Sequence, residues 1–215
     1  MTKTNQQKVK DFLINNGVII VMFILVIYTG FTSDNFFTRN NFMNILMNMS
    51  SRLVIALGIA GCVITAGCDL SAGRMIGFGA CISGMLLQRM DYSGKFFPDM
   101  QPLNVFVVAL IAMLVCAAFG TVTGFFIAYL NVPPFIATLA MMEIVYGIGL
   151  IVTNATPLGG YVEQYTNVSN GKFLGINYLI WIAIIVAAIT WFIFNMTRHG
   201  KYMYAIGGNP QAAEV

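Results

Sequence analysis

The sequence predicts an all-α polytopic membrane protein, and three observations carry that prediction. Of its 215 residues, 58% are hydrophobic and only 9% are charged. The apolar residues gather into continuous runs close to the roughly 20 residues that a helix needs to cross a bilayer. Those runs are continuous and lack the period-2 alternation of lipid-facing strands, which favours helices over a barrel. About six crossings are read, at Phe12–Phe31, Leu53–Ala66, Met75–Gln88, Leu103–Leu130, Phe135–Thr153 and Tyr178–Met196. The second and third are short, so helices between residues 53 and 88 are expected to tilt, break or re-enter. Residues 1–11 read as a tail, 12–196 as the membrane domain and 197–215 as the start of a further cytoplasmic segment.

Lys3, Lys8 and Lys10 precede the first run, and Asp11, Asn15 and Asn16 interrupt its start. No small-x-small cleavage site follows, and the run exits into Thr32-Ser33-Asp34-Asn35, so a retained first helix is expected. Lys8, Lys10, Arg198 and Lys201 lie near clean span ends, which places both termini in the cytoplasm by the positive-inside rule. Arg39, Arg52, Arg89, Lys95 and Lys172 then fall on outer segments. The net charge of +3 is small and dispersed, which argues against a nucleic-acid partner. Residues 32–52 are amphipathic at near-helical spacing. An interfacial helix and a simple extension of the second span are both open there.

Between the second and third runs stands Gly67-Cys68-Asp69-Leu70-Ser71-Ala72-Gly73-Arg74. Asp69 and Arg74 sit at or near membrane depth, where a charge costs several kcal/mol unless paired or wet. Gly67 and Gly73 let the backbone leave the helix there, and Ser71 can cap the next one. A broken helix lining a cavity, as transporters use, is one reading; a short solvated turn is the other. Gly120 and Gly124 form a GxxxG stripe, a helix-contact motif. Asn131-Val132-Pro133-Pro134 ends the fourth helix. Glu143 is the one acidic residue deep inside an expected crossing, open to a proton or ion role and to a hydrogen bond with a neighbouring helix. The stretch 154–177 is either a docking surface or a plain solvated loop.

After the last run, Gly207-Gly208 is expected to form a flexible corner. Asn209 followed by Pro210 then starts a new helix through Gln211, Ala212 and Ala213. The chain stops at Val215 within that element and reads as the front part of a longer protein. It has no phosphate-binding loop, so any ATP is used by a partner and no cofactor is expected in the chain itself. One histidine, His199, and four cysteines scattered through apolar runs support neither a metal site nor a catalytic triad. An enzyme is not expected. Cys62, Cys68, Cys81 and Cys116 read as small packing residues.

Three stretches together carry a family resemblance: Gly67–Arg74, Ala128–Gly147 (AYLNVPPFIATLAMMEIVYG) and Thr197–Val215 (TRHGKYMYAIGGNPQAAEV). They resemble the permease subunits of ribose/galactoside-type ABC sugar importers, nearer the galactose/methyl-galactoside branch, and the resemblance runs over essentially the whole chain. It implies inward transport of a monosaccharide across the inner membrane. It also implies a permease homodimer, a cytoplasmic ABC ATPase and a periplasmic sugar-binding protein. Asp69, Ser71 and Gly73 match the family's D-L-S-x-G stretch, and Pro134, Phe135 and Thr138 its P-F-I-x-T-L stretch. Substrate-pathway candidates are Asp69, Ser71, Asn131, Thr138 and Glu143, the last standing where an apolar residue is expected from the family, so that its role is not borrowed from the resemblance. Gly207, Gly208, Asn209, Pro210, Ala212 and Ala213 match the coupling segment. The competing expectation is an ion- or proton-coupled carrier that titrates Glu143 and Asp69.

Overall fold

This computed structural model describes residues 13–213; the tail at 1–11, Phe12, Glu214 and Val215 lie outside the described residues. Two compact units divide the chain, residues 1–48 and 49–215. In chain order the helices are α1 (Gly17–Thr32), α2 (Arg39–Ile64), α3 (Ala72–Leu86), α4 (Val105–Ala128), α5 (Pro134–Thr153), α6 (Glu163–Asn170), α7 (Tyr178–Met196), α8 (Arg198–Gly208) and α9 (Pro210–Ala213). Strands β1 (Lys172–Phe173) and β2 (Ile176–Asn177) form a small antiparallel hairpin between α6 and α7. Helices α2, α4, α5 and α7 are long and apolar enough to cross a membrane, and α1 and α3 are shorter apolar helices.

The amphipathic stretch after the first run is a continuation of the second span. Helix α2 runs unbroken over 26 residues from Arg39, well before Leu53, where the apolar run begins. In the first unit α1 covers only 16 residues, because Asn16 interrupts the helical turn Leu13–Asn15 that precedes it. Asparagine and glycine are weak helix formers, and Asn15-Asn16-Gly17 groups three of them.

The packed core of the second unit is a three-helix arrangement of α3, α4 and α5. Phe78 and Ile82 of α3, Ala112 of α4, and Met141 and Val145 of α5 are buried against one another. Phe78 meets Phe119 edge-on at 5.6 Å between ring centroids. The GxxxG stripe is not part of this packing, since the space beside Gly120 and Gly124 is open. Val108, Ala112 and Thr123 form the buried stripe of α4 instead.

At one side of the bundle, here the near side, α4 ends and α5 begins. Tyr129 N–H donates to the Phe125 carbonyl, Asn131 takes a left-handed conformation (φ 53°), and Pro134 opens α5, one residue before the expected start of that span. Helix α7 also ends on this side, at Met196. Thr197 Oγ1 accepts from Gly200 N–H at 3.3 Å and starts α8, which folds back so that Gly200 and Met203 are buried. A Cβ on Gly61 of α2 would touch Met203 at 3.0 Å and the Phe194 ring at 3.9 Å. A Cβ on Gly207 would collide with the Ile64 carbonyl oxygen at the end of α2. Gly207 and Gly208 thus complete α8, and Gly207 seats it against α2, where a flexible corner was expected. Asn209 is extended (φ −158°), and its Oδ1 accepts from Gln211 N–H at 3.1 Å, so it caps α9 as its pairing with Pro210 predicts.

On the far side, 154–177 is built structure rather than a plain loop. Val162 N–H donates to the Leu87 carbonyl at 2.9 Å, and Arg89 N–H to the Gly160 carbonyl at 2.8 Å. Between them the Gln88 side chain, 1% exposed, donates through Nε2 to the Gly159 carbonyl at 3.0 Å and accepts at Oε1 from Phe96 N–H at 2.7 Å. One buried amide thereby ties the 90s loop and the 150s loop to the end of α3. Burial pushes the Tyr161 phenol up, with neighbouring Tyr165, Cys81 and Tyr92 adding to the effect. Asn177 closes the segment by capping α7, accepting from Leu179 N–H at 2.8 Å.

Candidate functional site

The depth at which α3 begins defines the site. Helix α3 has 15 residues, about 22 Å at 1.5 Å per residue, short of the roughly 30 Å hydrocarbon layer. Its far end is level with the start of α4, because Leu103 N–H donates to the Leu86 carbonyl at 3.4 Å. Its near end stops partway. Cys116, at the middle of α4, donates its thiol to the Met75 carbonyl at 3.5 Å, and the Phe78 ring lies 3.6 Å from the Cβ position of Gly149. Counting back along both neighbours puts Ala72 some nine residues, roughly 14 Å, inside the near-side ends of α4 and α5. Helix α3 is thus a short helix whose near end stops well inside the ends of its two neighbours.

Helix α2, in contrast, ends at the near side against α8. Its end is a Schellman-type turn: Gly67 N–H donates to the Cys62 carbonyl at 2.8 Å and Ala66 N–H to the Val63 carbonyl at 3.1 Å. The left-handed residue is Ala66 (φ 59°), not the flanking glycine. From there 65–71 must climb back into the membrane, within reach of seven residues at ~3.3 Å each. The helical chain is thus broken between Ile64 and Ala72.

Each candidate side chain can now be placed. Asp69 Oδ1 accepts from both Ser71 N–H (2.8 Å) and Ser71 Oγ (2.6 Å). The carboxylate fixes Ser71, the residue just before α3, and the serine hydroxyl expected to cap the helix is turned to Asp69 instead. Ser71 is 4% exposed. A negative group there also complements the positive end of the α3 dipole. Replacing Asp69 by alanine is expected to cost about 1 kcal/mol of stability, as loss of a hydrogen bond does. Asparagine, which keeps the acceptor, should restore most of it; thermal unfolding of the purified variants in detergent measures both.

Arg74 projects from the third residue of α3 over the ring of Tyr146, its guanidinium carbon 4.0 Å from the centroid. No carboxylate lies within ion-pair distance of it among the described residues. With Gly77, Phe78, Cys81, Gly149, Leu150 and Thr153 these two line a groove of about 230 Å³ between α3 and α5. Glu143 lies one helical turn before Tyr146, exposed, on the face of α5 opposite its buried residues. Among the described residues it has no hydrogen-bond or ion-pair partner, so the expected bond to a neighbouring helix is not formed within them. Thr138 is buried, and its hydroxyl donates to the Pro134 carbonyl at 2.8 Å within its own helix. Asn131 is exposed in the near-side turn. Asp69, Arg74, Tyr146 and Glu143 thus share a depth, whereas Asn131 and the 207–213 segment belong to the near side. Among the described residues no group of three or more His, Cys, Asp or Glu side chains could hold a metal ion.

Residues 41–215 match the family model described as branched-chain amino acid transport system / permease component. The chain belongs to this permease family. Its relatives include the galactose/methyl galactoside import permease proteins of Escherichia coli K12 (39% identical) and Haemophilus influenzae (40%). Each aligns over 222 residues covering all of this chain and 66% of the relative. The ribose import permease protein of Escherichia coli K12 is 31% identical over 210 residues, 96% of this chain and 62% of the relative. The chain therefore spans just under two thirds of the length of these relatives. No solved structure matches it. As a member of this family it is a multi-pass membrane protein.

Sequence reasoning had singled out Asp69 and Glu143 but passed over Tyr146 and Gln88. A tyrosine within an apolar run carries no signal of its own. The available hint was an arginine, Arg74, that an apolar span must somehow accommodate.

Proposed function

We propose that this permease is the membrane subunit of an ATP-driven importer that carries a monosaccharide, galactose or a methyl galactoside, inward across the cytoplasmic membrane. What carries the reading is identity near 40% along the whole chain to two galactose/methyl galactoside import permeases. The subunit works as a homodimer with a cytoplasmic ABC ATPase and a periplasmic sugar-binding protein. The unoccupied stripe at Gly120 and Gly124 supports contact with a second copy, since small residues let helices approach closely where lipid gives no apolar drive. The near side is cytoplasmic, with the amino terminus there too; Arg198 and Lys201 just after α7 favour this by the positive-inside rule. Asp69, Ser71, Thr138, Glu143 and Asn131 lie along or beside the pathway. The α8–α9 corner at Gly207, Gly208, Asn209 and Pro210, with Ala212 and Ala213, receives the ATPase stroke. The rigid seat of Gly207 on α2 supports that role, because a push on α9 reaches the helix that leads into the broken span.

The import reading is favoured over the carrier alternative because the Asp69 carboxylate is engaged by two hydrogen bonds from Ser71. The test is reconstitution of the full-length permease with candidate ATPases and sugar-binding proteins in vesicles. Sugar-loaded binding protein is expected to raise ATP hydrolysis several-fold. Ala213→Glu, which puts a charge on the exposed face of α9, should cut uptake at least tenfold without lowering expression. Uptake that needs no ATPase and vanishes when the proton gradient is collapsed would establish the carrier instead.

A further inference from the structure

We infer that the groove between α3 and α5 is a mid-membrane transit site for one monosaccharide, with Arg74 supplying its hydrogen-bond donors and Tyr146 holding Arg74 in place. The inference rests on the import function proposed above and assigns residues to it. Arginine keeps its charge at any accessible pH, and a charge near mid-membrane is costly unless paired or wet. Arg74 has no carboxylate partner among the described residues; its one specific neighbour is the π face of Tyr146. A stacked guanidinium has one planar face covered while its N–H edge stays free to donate. The groove must therefore admit water or a polar solute, and it belongs to an aqueous path rather than to lipid.

The shape narrows the solute. Gly77 and Gly149 carry no side chains into the groove, and about 230 Å³ holds one sugar ring but not two. Phe78, Val145 and Leu150 give an apolar wall for the C–H face of a pyranose, and Arg74 at the end of the groove offers N–H groups to its hydroxyls. With no second fixed charge lining it, the groove suits a neutral ligand held weakly enough to leave, as a conduit requires. An acidic solute and a lipid acyl chain are the competing occupants, and the test separates them.

Cys81 lines the same groove and serves as a reporter once Cys62, Cys68 and Cys116 are replaced by alanine. In the full-length permease assembled with its ATPase, a membrane-impermeant thiol reagent is expected to modify Cys81. Galactose should slow that modification at least threefold, and glucuronate should not. Tyr146→Leu and Arg74→Gln should abolish protection and lower uptake at least tenfold. Tyr146→Phe, which keeps the ring, should retain both. In the leucine and glutamine variants, hydrolysis stimulated by loaded binding protein should persist, because the docking surfaces are untouched. Stimulated hydrolysis with normal uptake in both variants would overturn the site while leaving the import function standing. So would a Cys81 that only lipid-soluble reagents reach, or one protected by glucuronate rather than galactose. Absence of any stimulated hydrolysis in the unmodified assembly would strike the import function itself.

Discussion

Gly207→Val is expected to lower the thermal midpoint of the purified protein by roughly 6–12 °C, corresponding to about 3 kcal/mol for a chain of this size. The reason is a collision with backbone rather than with a movable side chain: any Cβ at Gly207 runs into the Ile64 carbonyl oxygen. Valine must lift α8 off the end of α2, which also uncovers Met203 and opens its contact with Gly61. The neighbouring glycine supplies the control. Gly208 is also helical, with nothing within 4 Å of its Cβ position, so Gly208→Ala should change stability by less than about 1 kcal/mol, and in the favourable direction. Trypsin cleavage after Arg198 and Lys201 should accelerate in the valine variant alone. Equal effects from the two substitutions would mean that α8 is not seated by this contact.

Uptake and stability should fall together in that variant, because α8 ties the end of α2 to the segment that carries α9. The path from α9 through Gly207 to Ile64 and on along 65–71 to α3 is continuous in packing and chain. Its last stretch is the climbing segment held by Asp69. The import function proposed above requires a stiff element between an external stroke and the cavity, and a glycine contact without an intervening side chain would supply one.

Much of this was legible in the residues. The apolar runs identify α4, α5 and α7 to within a few residues, and Asn209-Pro210 identifies the start of α9 because cap chemistry is local. The length of α2 was not legible, since its first half is polar enough to read as surface. The break before α3 was legible as a possibility, in the charges of Asp69 and Arg74, but its depth was not. Depth depends on which residues of α4 and α5 lie beside α3, and the partners concerned, Cys116 and Gly149, have no local signature. The same limit applies to Tyr146, which becomes informative only once Arg74 lies on it. Gln88 was read merely as the end of a span. Its partners, Phe96 and Gly159, are far along the chain, so nothing around it in sequence marks it as a tie.

That tie leads to the second large effect. Gln88→Leu keeps the side-chain bulk but leaves the Phe96 N–H and the Gly159 carbonyl without their partner in a buried place. Each unmet group costs about 1–3 kcal/mol, so the variant is expected to lose roughly 2–6 kcal/mol and to loosen the far-side cap first. Hydrogen exchange should rise at Phe96 and across 155–162, while the α3–α5 core keeps its protection. The glutamate variant separates hydrogen bonding from packing. Gln88→Glu can still accept from Phe96 N–H, but it can serve the Gly159 carbonyl only when protonated. Burial and that carbonyl both raise the folded-state pKa of the introduced carboxyl above its unfolded value near 4.3. Its stabilising contribution is then fully present below that unfolded value and is lost as pH rises through the folded one. Exchange at 155–162 in Gln88→Glu should accordingly be slow in acid and fast at neutral pH, and in Gln88→Leu fast at both. A pH-independent glutamate variant would show that the amide at residue 88 does not hold the two loops together.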